Sequence, residues 1–132
     1  MAVKLVADIA VVADRRVLLV RYEDVSHYDG QRGWFLPDDY LADGEHPDVA
    51  ARRILREQAG LQLEPTLAEI ESLSNGAWHL IFHYCTAAAA PNPVRPGANV
   101  AAAAWFPLVA LPPDDEQAHD GWARDVLSRI IG

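Results

Sequence analysis

The chain has 132 residues, 51% of them hydrophobic and 23% charged, and a formal net charge of −8. That length supports one domain with one core over residues 1–132, and the acidic balance excludes a non-specific surface for nucleic-acid polymers or anionic membranes, which need excess Lys and Arg. A single cysteine, Cys85, excludes an internal disulfide and suits a reducing, cytoplasmic setting, and no stretch has signal-peptide character or transmembrane length.

Residues 3–13 are apolar and β-branched, Asp14-Arg15 turns, and residues 16–21 resume the pattern. This predicts a hairpin of core strands. Residues 22–33, YEDVSHYDGQRG, form a polar and aromatic loop longer than a hairpin needs, a length that goes with function or mobility. A short strand is expected over Trp34–Leu36, then an Asp- and Gly-rich loop over 37–46. Pro47 opens a helix where its missing N–H costs nothing, Asp48 complements the positive helix end, and Gly60 closes it. Val49, Ala50, Leu55 and Ala59 supply its core stripe. Residues 61–74 and 77–87 read as strands around Asn75-Gly76, a strong hairpin signal. PNPVRPGAN at 91–99 is a Pro-rich loop, and 100–106 is a strand. A last helix is expected from Asp120, as its N-cap, to Ile131. Strands around a central helix with a second helix at the end give an α/β fold.

Residues 39–61, DYLADGEHPDVAARRILREQAGL, resemble the Nudix box, G-x5-E-x7-R-E-U-x-E-E-x-G-U, where U is a bulky aliphatic. Glu45, Arg53, Leu55, Glu57, Gly60 and Leu61 match, and Asp39, Ile54 and Gln58 depart, so six of nine fixed positions hold. Gly33-Trp34-Phe35-Leu36-Pro37 is similar to the family's W-x-L-P lead-in strand, with Asp38-Asp39 where the family has paired glycines. Trp105-Phe106-Pro107-Leu108 resembles its late W-F-P-L strand. The resemblance implies a Nudix-type α/β/α sandwich with a mixed β-sheet.

In that family the box glutamates project from one helical face toward divalent cations, usually Mg²⁺. Positions i, i+3 and i+4 share such a face, and here they are Ile54, Glu57 and Gln58. Hard cations want anionic oxygen, so one carboxylate stands where the family has three. The resemblance implies Glu57 and Glu45 as the remaining catalytic acids. It implies Glu57, Glu45, Asp38 and Asp39 as weak ligands for Mg²⁺ or Mn²⁺, the two aspartates being either relocated ligands or turn residues. Arg53, with Leu55 and Gly60, takes the structural part of the box, the guanidinium holding the loop through its carboxylates. Ile54 reads as a core residue. Trp34, Tyr28, Tyr40 and Trp78 are candidates to stack a nucleobase. His79 and His83 share a strand face, which suits Zn²⁺ only with a third ligand. Residues 99–104 lack the acid that relatives often supply from that region.

Three functions follow as alternatives. The first is a protein that binds a small diphosphate-containing, nucleotide-type metabolite, with Mg²⁺-dependent hydrolysis lost or strongly weakened. The second is an active pyrophosphohydrolase of a nucleoside diphosphate linked to a moiety X, using Glu45, Glu57 and a relocated Asp38 or Asp39 with Mg²⁺ or Mn²⁺. The third is different, metal-free chemistry in the pocket. A homodimer is the family's usual arrangement and carries over only as such.

Overall fold

The structure, a computed structural model, describes residues 2–74 and 76–131. Strands β1 (Val3–Ala13), β2 (Arg16–Tyr22), β3 (Asp38–Tyr40), β4 (Thr66–Ser74), β5 (Trp78–Ala87) and β6 (Val100–Pro107) form one sheet. Helices α1 (Pro47–Ala59) and α2 (Trp122–Ile130) cover its two faces. The strand order is β4-β5-β1-β2-β6, with β3 paired to β1 off that path. β1 and β5 run parallel and the other ladders are antiparallel, which makes the sheet mixed. Among the described residues no helix is long and apolar enough to cross a membrane.

Alternation along β1 builds both layers. Ala7, Ile9 and Val11 pack with Ala50, Ala51, Ile54 and Leu55 of α1. Ala10 turns the other way and packs with Ala123, Val126 and Leu127 of α2. A period of two on each strand therefore sorts one sequence run into two cores. The β1–β2 turn places Asp14 (φ 50°) and Arg15 (φ 57°) in the left-handed region that tight hairpins use. The hairpin expected at Asn75-Gly76 joins β4 and β5, but Asn75 lies outside the described residues.

Helix α1 spans the expected residues. Pro47 sits in its first turn, and Gly60 (φ 68°) caps it with its N–H on the Arg56 and Leu55 carbonyls. His46 adds a cap the sequence reading lacks, its ring accepting from the Asp48 N–H at 3.0 Å. The core stripe includes Ala50, Leu55 and Ala59 as expected, but Val49 is 46% exposed and Ala51, Ile54 and Gln58 are buried instead.

Two elements differ from expectation. Residues 34 and 35 make only isolated bridges, Trp34 to Gln117 and Val20 to Phe35, and the strand forms at 38–40. Aspartate is a poor strand former. Backbone demand overrides that preference here. β2 pairs with β1 only at Val12–Ala13, so the β1 edge at Val6–Asp8 is open and residues 38–40 fill it. Helix α2 starts at Trp122 and has no side-chain cap, so Asp120 is not its N-cap. His119, Asp120 and Gly121 all adopt positive φ, and this left-handed run leads into the helix. Glycine suits position 121, whose φ of 93° is one that residues with a side chain rarely adopt.

Candidate functional site

The box helix and its loop meet at Arg53. Its Nε donates to Glu45 at 2.8 Å, and its Nη2 donates to Glu45 at 3.0 Å and to the Tyr40 carbonyl at 3.0 Å. Its Nη1 donates to Glu57 at 2.9 Å and to Asp39 at 3.3 Å. A planar fork suits this many carboxylate contacts, which an ammonium would not match. The hydrogen bond from Arg53 holds Glu45 below the usual carboxylate range, and the Glu45 contact leads those that raise the guanidinium. Glu45 also accepts from the Ala42 N–H at 2.9 Å, which fixes the loop ahead of α1. All three carboxylates that the box face brings together, Glu45, Glu57 and Asp39, therefore share one cation supplied by the protein.

The two departures on the helix face have distinct environments. Ile54 is fully buried in the α1 core. Gln58 closes a ring of neutral hydrogen bonds. Its Nε2 donates to the Asp38 carbonyl at 2.8 Å, its Oε1 accepts from the Tyr22 hydroxyl at 2.8 Å, and that hydroxyl accepts from the Asp38 N–H at 3.1 Å. Tyr22 stacks on Tyr28 with centroids 3.8 Å apart. Burial first, and then Asp38, pushes the Tyr22 phenol well up, so it stays a neutral donor.

Two cavities flank this region and share Tyr28 and Asp39 as walls. The smaller, about 410 Å³, lies beside Glu57, Gln58 and residues 97–100. The 91–99 loop docks on the end of α1, with the Gly97 N–H on the Gln58 carbonyl at 3.1 Å. Gly97 permits that approach, because a Cβ would meet the Glu57 carbonyl oxygen at 2.0 Å.

The larger cavity, about 490 Å³, opens on the α2 side of the sheet. Tyr28, Phe35, Tyr40 and Trp122 wall it, and Asp38 lines it. Asp38 stands opposite Asp8 in the β1–β3 register, so it faces away from Arg53 and apart from Glu45 and Glu57. Burial, then Asp8, Asp39 and Asp29, pushes its carboxyl well above the usual range. Of the aromatic residues singled out by sequence, Tyr28 and Tyr40 reach this cavity. Trp34 and Trp78 line neither cavity. Trp34 packs under Arg21 at 5.1 Å and against Phe106, and Trp78 is exposed on the α1 side with its Nε1 on Ser72 at 2.8 Å. An aromatic residue is more often packing than platform, and strand parity puts Trp78 on the wrong face.

Sequence reasoning missed a chain of charges that runs from the buried Asp8–His83 pair out to the surface. His83 is fully buried, with Nδ1 at 2.7 Å from Asp8 and Nε2 at 2.8 Å from Glu71. Arg129 of α2 then donates to Glu71 at 2.9 Å and to Glu69 at 3.0 Å. The signal in the sequence was Asp8, an acid inside the apolar run of β1. His79 and His83 do share a face but do not converge on a metal. Glu69, Glu71 and His83 lie close enough to share an ion, yet Arg129 already holds both carboxylates.

This chain makes stability depend on pH. Burial pulls His83 down, but the hydrogen bonds and charges of Asp8 and Glu71 outweigh it, and the net shift is upward from 6.5. Burial raises Asp8 from 3.8 against the pull of His83. Both groups hold protons more tightly when folded, so folding stability falls as pH rises. The His83 contribution is full below 6.5 and is lost as pH passes its folded value. Urea unfolding at pH 6 and pH 9 is expected to show lower stability at pH 9, with a weaker dependence in His83→Gln. Equal midpoints for the wild-type protein would contradict it.

A mixed sheet between two helices, with a carboxylate-bearing box helix ahead of β4, defines an α/β/α sandwich. The NUDIX domain model matches residues 3–127, and the chain belongs to that family. Comparison with curated protein sequences gave no match. Among solved structures, the chain is similar to a MutT NUDIX hydrolase from Burkholderia pseudomallei, with a TM-score of 0.80 and 23% identity over 98% of this chain and 99% of that one. It is similar to the MutT protein from Methanosarcina mazei, with a TM-score of 0.75 and 15% identity over 98% and 94%. The NUDIX domain of Shewanella oneidensis NrtR, complexed with ADP ribose, gives a TM-score of 0.70 and 18% identity over 83% and 75%. At these identities the likeness concerns the fold.

Proposed function

We propose that this chain, acting as one domain, binds a diphosphate-containing, nucleotide-type metabolite, with Mg²⁺-dependent hydrolysis lost or strongly weakened. The observation that carries the reading is Arg53, which holds Glu45, Glu57 and Asp39 together. A hard dication needs free anionic oxygens. Ile54 offers none, the Gln58 carbonyl oxygen is taken by Tyr22, and the remaining box carboxylates already have their cation. These donors do not fit a resident Mg²⁺ or Mn²⁺. A dication arriving with the ligand's phosphates would meet Glu57 and Asp39, and its contribution there would be to neutralise diphosphate charge.

The chain's own groups suit binding more than cleavage. Residues 97–99 line the smaller cavity, where the phosphates would sit, and the larger cavity would take the remaining moiety between aromatic walls. Isoleucine at 54 cannot take a proton, and a missing general base typically costs about 10²–10⁴-fold in rate. A similar fold complexed with ADP ribose supports the ligand class.

The second reading is an active pyrophosphohydrolase through Glu45, Glu57 and Asp39. The observation in its favour is that Glu57 and Asp39 line the same cavity. Incubation of the protein with ADP-ribose and a panel of nucleoside diphosphate derivatives, with Mg²⁺ or Mn²⁺, separates the two when products are counted by mass spectrometry and binding by calorimetry. Binding with turnover at least about 10²-fold below the ordinary range of about 1–10³ per second is expected. Turnover inside that range would establish the second reading.

A further inference from the structure

One carboxylate of the protein stands in the larger cavity where an outside anion would stand. Asp29, within the 22–33 loop, lines that cavity and bridges two basic groups. Its Oδ1 lies 3.5 Å from Lys4 Nζ, and its Oδ2 lies 3.5 Å from His119 Nε2. These partners come from β1 and from the turn ahead of α2, and both line the same cavity. His79 adds a third nitrogen-bearing side chain. It pairs with Lys4 in the β1–β5 register, so both project to one face of the sheet, and it too lines the cavity. His79 has no hydrogen bond or ion pair among the described residues.

The hold on Asp29 is loose. The side chains of Lys4, Asp29 and His119 are 37%, 38% and 40% exposed, and exposed pairs contribute little to stability. The loop that carries Asp29 is longer than a hairpin needs, so the carboxylate can withdraw without disturbing the sheet. The other acids at the cavity do not oppose an anion there. Burial and the neighbouring aspartates hold the Asp38 carboxyl toward its neutral form, and Asp39 is engaged by Arg53 and His27. With Asp29 withdrawn, that end of the cavity presents an ammonium and two imidazoles. An imidazole offers an N–H donor whether neutral or protonated.

We propose that Lys4, His79 and His119 form an anion seat at one end of the larger cavity, that the loop's own Asp29 fills it when no ligand does, and that a carboxylate or phosphate on the ligand displaces Asp29. This rests on the reading that the larger cavity takes the end of the ligand away from its diphosphate. It narrows the metabolite to one whose diphosphate is joined to a moiety bearing a second anionic group. A neutral moiety has nothing with which to dislodge Asp29, so the loop also discriminates by charge.

Three probes of related shape test it without any diphosphate: benzoate, phenyl phosphate and the neutral benzamide. Each is titrated by NMR and calorimetry into the ¹⁵N-labelled wild type, Asp29→Asn, and the double variant Asp29→Asn with Lys4→Met. Asparagine keeps the size of aspartate and tolerates the φ of 57° at this position, so the loop keeps its shape. Benzoate or phenyl phosphate is expected to bind Asp29→Asn about tenfold more tightly than wild type, because a competing like charge is gone. The double variant is expected to lose that gain. Benzamide is expected to bind wild type and Asp29→Asn alike, and more weakly than the anions bind Asp29→Asn. The Trp122 indole in the cavity wall is expected to shift, and the Trp105 indole on the α1 side is not. The tighter anion assigns the group as carboxylate or phosphate. Equal affinity of wild type and Asp29→Asn for both anions, no anion binding to Asp29→Asn, or benzamide binding as tight as theirs would overturn the proposal. So would a gain that survives Lys4→Met, or shifts confined to residues 97–99. Because no probe carries a diphosphate, failure here leaves the nucleotide reading to its own turnover and binding tests.

Discussion

Ile54→Glu is expected to destabilise the fold by about 3–5 kcal/mol, the scale of a buried charge without a partner, and not to revive a metal face. The box pattern suggests the opposite, since glutamate is the family residue at that position. Ile54 decides the matter by being fully buried among Ala7, Ile9, Val11 and Leu55. A carboxyl inserted there must either stay protonated or force the helix outward, and both cost stability. For a domain of this size the loss corresponds to a fall in Tm of roughly 10–20 °C. Ile54→Val, which keeps the apolar contact, is expected to lose only about 1 kcal/mol. Adding Gln58→Glu makes matters worse, because it places a carboxylate oxygen against the Asp38 carbonyl in place of a donor 2.8 Å away. Differential scanning calorimetry on the two single variants and the double variant checks these outcomes. A double variant as stable as wild type, with a new tight Mg²⁺ site, would show that the helix face was only waiting for its acids.

Arg53→Ala is expected to lose about 3–4 kcal/mol, since it leaves partly buried carboxylates without their cation. The Glu45 side chain is only 10% exposed and that of Asp39 25%, so solvent replaces the guanidinium poorly. Repulsion among the Glu45, Asp39 and Glu57 carboxylates is then left without its cation, and stability of the variant should rise with millimolar Mg²⁺, which has little to bind in the wild type. Thermal unfolding of both proteins, with and without Mg²⁺, reads this directly. An unchanged Tm for Arg53→Ala would mean that the cluster contributes nothing to the fold.

Local signals in the sequence carried the fold a long way. Pro47 and Gly60 fix both ends of α1 because each acts on its own backbone. The alternation in residues 3–22 gives the first hairpin for the same reason. β3 was illegible because the pairing need of β1 creates it, against the preference of two aspartates. The start of α2 depends on the left-handed run at 119–121 and on Asp114 beside Gly121, neither of which a capping pattern contains.

The candidate site divides in the same way. The Nudix resemblance implied Arg53 as the residue that holds the loop, and in the structure its guanidinium contacts Glu45, Asp39, Glu57 and the Tyr40 carbonyl. The pattern did not reveal what became of Gln58, because its partners are Tyr22 and the main chain of Asp38. Asp8 and His83 stand 75 residues apart in sequence, and only the parallel β1–β5 register joins them. Asp38 and Asp39 are neighbours that strand geometry sends to opposite faces, Asp39 toward Arg53 and Asp38 away from it. No composition argument separates two adjacent aspartates in that manner.

The proposed function requires the box face to be an internally satisfied ion cluster and not a resident metal site. Mn²⁺ titration of the ligand-free wild-type protein, followed by electron paramagnetic resonance, tests it most directly. Reduced ligand charge predicts no site tighter than about 1 mM. A stoichiometric site in the micromolar range, lost in Glu57→Gln or Asp39→Asn, would contradict the account and show that the surviving acids bind metal in preference to Arg53.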